Sequence, residues 1–126
     1  MCAQDVSRIL IIDDDSQVRE VLRKMLERAG YGVMDAPDGN VGMKLHRKAP
    51  ADLIVTDIVM PGKEGLSTIK ELKQNSPEVK IIAISGGGSI GPEEYLEMAR
   101  RLGVNQTLSK PFGSRELLEA VRALLQ

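Results

Sequence analysis

Cysteine is almost missing from this chain: Cys2 is the only one, so no internal disulfide can form and a reducing compartment is the simpler setting. Its terminal position reads as an ordinary frayed residue. Long apolar runs are missing too. None approaches the ~20 residues of a membrane span, and residues 1–8 have no apolar stretch of the signal-peptide kind. The expected setting is cytoplasmic, without membrane contact. Neither sign of charge is in excess: 17 basic against 18 acidic side chains leave a net charge of −1. That gives no general attraction to nucleic acid, and binding to it by this chain alone is not expected. Repeats, low-complexity tracts and linker-like compositions are also absent.

What is present suits one ordinary globular unit. With 126 residues, 42% hydrophobic and 28% charged, the chain can bury a core without disulfides. It reads as a single domain, 1–126, with an ordered core at about 7–125. Ile9 to Ile12 is a continuous apolar run, the pattern of a buried strand. Val18, Val21, Leu22, Met25, Leu26 and Ala29 then step by three and four along a helix, with Ser16 as its cap and Gly30 as its stop. Val33 to Ala36 reads as an edge strand. The second helix follows the turn at Asp38-Gly39-Asn40 and runs to about Lys48. Its only well-spaced large residues are Val41 and Leu45, so it is expected to be one of the looser elements.

Leu53, Ile54 and Val55 form a strand buried on both faces, and Leu66, Ile69 and Leu72 mark a third helix. Lys80 to Ser85 is a fourth strand. Residues 86–91 read as a flexible glycine-rich loop, and Pro92, Glu93 and Glu94 open a fourth helix that stops at Gly103. Gln106 to Leu108 is the last strand, and Ser114 caps a final helix carrying Leu117, Leu118, Val121, Leu124 and Leu125. Strands alternating with helices predict an α/β fold. It should be a doubly wound five-stranded parallel sheet with five helices on two faces.

In such a sheet, chemistry collects at the carboxyl ends of the strands. The central run delivers Asp57 to that edge just before Met60-Pro61-Gly62. The first strand ends in Asp13-Asp14-Asp15, the fourth in Ser85, and the fifth runs into Lys110-Pro111-Phe112. Acids gathered at one edge suit a hard divalent cation, which takes oxygen ligands, and a lysine ammonium suits a charged oxygen. Asp15, one step further on, reads as a helix-capping charge.

These motifs, in this order across nearly the whole chain, resemble the receiver domain of two-component response regulators, in its stand-alone, chemotaxis-regulator-like form. The resemblance implies a flavodoxin-like strand order 2-1-3-4-5. It implies that Asp57 accepts a phosphoryl group from a histidine kinase or histidine phosphotransfer protein. Mg2+ would be held directly by Asp14 and through water by Asp13, with Asp57 and the backbone carbonyl of Val59 joining its shell. Ser85 and Lys110 would contact the phosphoryl group, and the peptide between Lys110 and Pro111 would be cis. Phosphorylation adds charge and acceptor oxygens that pull on Ser85 and Lys110. The family's response repacks the face of helix 4, strand 5 and helix 5, where a downstream protein, or a second copy in a phosphorylation-linked dimer, would bind. No separate substrate turnover is expected beyond the domain's own phosphorylation and dephosphorylation.

Three features depart from the family pattern. Thr107 stands where many receivers carry a switching aromatic residue. The segment from Ser85 to Lys110 is about three residues longer than usual, with the excess in the glycine-rich loop. Val59 and Gly87 offer no polar side chain to position a hydrolytic water.

Other readings compete. Residues 86–91 formally match G-x-G-x-x-G, yet they do not follow the first strand, and no acid ends a strand about 20 residues later to hold a ribose. Asp13-Asp14-Asp15-Ser16 faintly resembles the signature of haloacid-dehalogenase-like phosphatases, a reading that would leave Asp57 without a role. A non-phosphorylated interaction domain would not need so many charged groups at one strand edge. His46, the only histidine, lies among Lys44, Arg47 and Lys48 and reads as part of a solvated helix face, not a phosphotransfer relay.

Overall fold

The apolar run at 9–12 forms the heart of a parallel sheet in a computed structural model, which describes residues 6–58, 65–85, 92–109 and 112–125. The elements alternate as expected: β1 (Arg8–Ile12), α1 (Ser16–Arg28), β2 (Gly32–Ala36), α2 (Gly39–Lys48), β3 (Leu53–Asp57), α3 (Gly65–Asn75), β4 (Lys80–Ser85), α4 (Pro92–Arg101), β5 (Gln106–Ser109) and α5 (Ser114–Leu125). All four strand pairings are parallel, in the order β2-β1-β3-β4-β5. The burial of each strand follows its place. Every residue of β3 is buried, whereas only Ala36 of β2 and no residue of β5 is.

Side chains of successive strand residues point to opposite faces, and here they feed two separate cores. Ile9, Ile11, Leu53, Val55, Ile82 and Ile84 pack against Leu22 and Leu26 of α1 and Leu117 and Val121 of α5. Leu10, Ile12, Ile54, Ile81 and Ala83 face Met43 of α2, Ile69 and Leu72 of α3 and Ala99 of α4. Continuous apolar runs are therefore required in the central strands, because neither face meets water. Each fully buried isoleucine or leucine contributes roughly 1.5–3 kcal/mol.

At the helix starts, the serine caps expected at Ser16 and Ser114 are corrected by one residue, while the capping charge expected at Asp15 is borne out. Asp15, not Ser16, caps α1: its carboxylate accepts from the backbone N–H groups of Gln17 (2.9 Å) and Val18 (3.4 Å). A carboxylate there also meets the positive end of the helix dipole. Ser114 is the first residue of α5, and Gly113 precedes it, donating its N–H to the Glu116 carboxylate at 3.1 Å. The stops at Gly30 and Gly103 hold, with φ of 100° and 99°, a region that glycine enters without penalty.

The second helix is not loosely packed. Its buried residues are Gly39, Gly42, Met43 and His46, while Val41 is exposed. Two of these are glycines, so beside Met43 and His46 the helix approaches its neighbours through backbone. A methyl group at Gly42 would stand 2.6 Å from Cδ1 and 2.9 Å from Cγ1 of the fully buried Ile12. Gly42→Ala is therefore expected to destabilise the fold by about 1–2 kcal/mol. Overpacking of roughly 1–3 kcal/mol outweighs the ~1 kcal/mol gain in helix propensity. Urea unfolding checks this; a more stable variant would show that the helix can move away freely.

Candidate functional site

Sheet register builds the site. Ile12 pairs with Thr56 and Asp57 with Ile84, so Asp13 follows β1 at the level of Asp57, and Ser85 ends β4 one residue beyond it. Asp13 is 1% exposed and Asp57 6%, whereas Asp14 is exposed. One carboxylate oxygen from each of the three lies within 4.8 Å of the others. Like charges this close, with two of the groups withdrawn from water, suit a bound cation better than they suit one another. Oxygen-only donors around a gap of this size fit a hard divalent ion such as Mg2+.

The turn carrying Asp13 and Asp14 is held from several directions. The Asp13 N–H donates to the Ala36 carbonyl at 3.1 Å, tying the turn to the end of β2. One Asp13 carboxylate oxygen accepts from the Asp15 N–H at 2.9 Å. The Asp13 carbonyl accepts from Nη1 of Arg19 at 2.7 Å. Arg19 was not foreseen. Its position one turn into α1, four residues after the capping Asp15, was the available signal.

On the neighbouring strand the Ser85 hydroxyl is fully buried, and among the described residues its oxygen has no hydrogen-bond partner. A buried polar group left this way costs stability unless something else meets it. Thr56 differs, because its buried hydroxyl donates to the Asp57 carbonyl at 3.1 Å. Thr107, on the edge strand β5, is partly buried and accepts at Oγ1 from Nη2 of Arg100 on α4 at 3.1 Å. Leu108 and Phe112, which flank Lys110 in sequence, pack against the α1–α5 core. The expectations for Val59, Lys110, the Lys110–Pro111 peptide, Gly87 and the glycine-rich loop at 86–91 lie outside the described residues.

The reading of His46 as solvated is overturned. It is 6% exposed, because α2 faces inward through positions 39, 42, 43 and 46, a stripe at helical spacing in which Met43 is the one large apolar residue. Its Nδ1 accepts from the Ala51 N–H at 3.0 Å, and Nε2 lies 3.1 Å from Ser76 Oγ. An accepting Nδ1 places the proton of the neutral ring on Nε2. That tautomer donates to Ser76 and cannot take its proton, so the pair is no nucleophile-and-base dyad. Burial pushes the His46 imidazole below its ordinary value. Its role is structural, joining α2 to the loop before β3 and to the end of α3.

Among the described residues no helix is long and apolar enough to cross a membrane. A sequence model described as the response regulator receiver domain matches residues 9–122. The transcriptional regulatory protein CpxR of Klebsiella pneumoniae is 34% identical over 121 residues, covering 96% of this chain and 50% of that protein. The chain thus spans about half the length of the curated relatives it matches. Of the solved structures, chemotaxis protein CheY4 of Vibrio cholerae matches with a TM-score of 0.84 and 27% identity, over 95% of this chain and 99% of that one. The receiver domain of NtrX from Brucella abortus matches with a TM-score of 0.86 and 27% identity, over 93% and 97%.

Proposed function

Because this chain belongs to the response regulator receiver domain family, we propose that Asp57 is its phosphoacceptor and that Asp13, Asp14, Asp57 and the Val59 carbonyl hold Mg2+. The observation that carries this reading is the convergence of three carboxylates within 4.8 Å at the carboxyl edge of the sheet. Residues 7–125 form the core of a single receiver domain. The dehalogenase-like and dinucleotide-binding readings have no comparable support.

The donor is a phosphohistidine on a sensor kinase or phosphotransfer protein. An Asp57 carboxylate oxygen attacks phosphorus in line, the P–N bond breaks, the imidazole nitrogen leaves and takes a proton, and an acyl phosphate forms on Asp57. Bound Mg2+ would neutralise charge on the phosphoryl oxygens while they transfer. The chain's own residues set the geometry. Asp57 is held rigid at the end of a fully buried strand. The Ser85 hydroxyl, lacking a partner among the described residues, is free to donate to a phosphoryl oxygen, and Lys110 supplies the second contact. Water then attacks the phosphorus of the acyl phosphate, the P–O bond to Asp57 breaks, and inorganic phosphate leaves with the carboxylate regenerated, so the domain catalyses its own phosphorylation and dephosphorylation without a separate substrate.

A phosphodonor must approach from outside the acid edge. The apolar surface of Val18, Val21, Met25 and Phe112 beside Asp15 offers a place for it to rest, with Val21 52% exposed. The output surface is the face of α4, β5 and α5, where β5 is half-exposed and Met98 stands 44% exposed. A cytoplasmic setting accompanies this reading. The test is intact-protein mass after incubation with Mg2+ and phosphoramidate, wild type beside Asp57→Asn. One phosphoryl group gained by wild type alone, and only with Mg2+, is expected. Uptake by the variant would place the acceptor elsewhere.

A further inference from the structure

The three carboxylates are not held alike. Asp13 and Asp57 are buried at or next to strand ends, so packing fixes their side chains. Asp14 is exposed and lies two residues beyond the end of β1. Nothing in its burial keeps its carboxylate turned towards the other two. Its direction depends on the backbone that carries it, the peptide joining Asp13 to Asp14. The oxygen of that peptide is the atom that Arg19 grips, at 2.7 Å from Nη1.

Arg19 is itself well placed to be rigid. Its backbone N–H donates to the Asp15 carbonyl at 3.0 Å in the first turn of α1, and the carboxylate of Asp15 caps the same turn. The side chain is partly buried. Its contact with Asp13 is short and charge-assisted, of the stronger class of hydrogen bond. The N–H side of Asp13 is anchored independently to Ala36. Arg19 therefore holds the carbonyl side of the same residue, a second hold on the main chain between β1 and Asp14.

We infer that Arg19 is a positioning residue for the cation site: it fixes the Asp13–Asp14 peptide so that the Asp14 carboxylate meets those of Asp13 and Asp57, and touches no ligand itself. The inference rests on the reading of those carboxylates as a divalent-cation site. It makes a prediction opposite in sign to simple electrostatics. Removing a positive charge near three carboxylates should tighten cation binding. Removing the residue that orients one of them should weaken it, by roughly tenfold, as loss of a partner behind a metal ligand does.

The experiment titrates the apo protein with Mn2+, following free ion by electron paramagnetic resonance, for wild type, Arg19→Met, Arg19→Lys, Asp14→Asn and the Arg19→Met/Asp14→Asn double variant. Methionine keeps much of the apolar stem, and thermal melts of the apo proteins verify that each is folded. The expected results are about tenfold weaker binding in Arg19→Met, partial recovery in Arg19→Lys, and no additional loss from Arg19→Met once Asp14 is asparagine. Unchanged or tighter binding in Arg19→Met, or an equal loss in the Asp14→Asn background, overturns the inference and leaves the cation site standing. Failure of wild type to bind Mn2+ overturns both.

Discussion

Asp57→Asn is expected to abolish phosphoryl uptake from phosphoramidate outright while raising the melting temperature of the metal-free protein by roughly 5–10 °C. The first effect follows from chemistry, because an amide oxygen neither carries the charge nor forms the acyl phosphate. The second follows from geometry. Carboxylate oxygens within 4.8 Å of one another repel by roughly 3.5 kcal/mol or more per fully charged pair, at an effective dielectric constant near 20, part of which neighbouring groups relieve. Removing one charge from a trio with two buried members should recover about 1–3 kcal/mol, which for a domain of this size corresponds to several degrees. Saturating Mg2+ should stabilise wild type and largely close the gap, since a ligand bound only by the folded state stabilises it by mass action. Calorimetry with and without Mg2+ is the check. A variant less stable than wild type would mean that attraction to neighbouring groups outweighs repulsion within the trio.

The second large effect lies at the opposite end of the sheet. His46→Leu is expected to cost about 2–3 kcal/mol, near 10 °C in melting temperature. It leaves the buried Ala51 N–H without its acceptor, an unmade hydrogen bond worth roughly 1–3 kcal/mol, and removes the link to Ser76. The same histidine makes stability depend on pH. Burial lowers its folded value below the ordinary 6.5, so between those two values the unfolded chain binds a proton that the folded chain refuses. Stability from this group is complete above about pH 6.5 and is lost as pH falls through the folded value. Chemical denaturation from pH 7.5 to 5 should show that slope in wild type and a shallower one in His46→Leu. Equal slopes would transfer the pH dependence to the carboxylates.

How far the sequence was legible follows from what each inference depended on. The strands announced themselves because a strand covered on both faces must be apolar at every position, as at 9–12 and 53–55. The acid site was legible because Asp13, Asp14 and Asp57 each stand where an apolar run stops, and strand ends of one parallel sheet must lie along one edge. Ser85 fell out of the same logic. The strand order came from resemblance, since alternation of elements does not say which strand lies beside which.

The misreadings share a cause. By size, Val41 and Leu45 mark the inward face of α2; Leu45 does pack against the core, but Val41 is exposed, because close approach favours Gly39 and Gly42, and that rotation carries His46 from solvent into the interior. Whether a small residue marks an empty surface or a tight contact depends on what stands opposite, here Ile12 and Thr68. Arg19 went unnoticed for a related reason: its partner is a main-chain oxygen, which every residue has and no sequence pattern displays. At α1 the cap lies one residue earlier than the serine because serine and aspartate both cap well, and local geometry chose Asp15. Alone, the sequence determined the alternation of elements, the two-faced sheet and the acids at its edge, since these follow from the period and polarity of neighbouring residues. Only the tertiary structure decided which face of α2 is buried, which tautomer His46 holds and what grips the Asp13–Asp14 peptide, because each depends on atoms far apart in the chain that meet only when it folds.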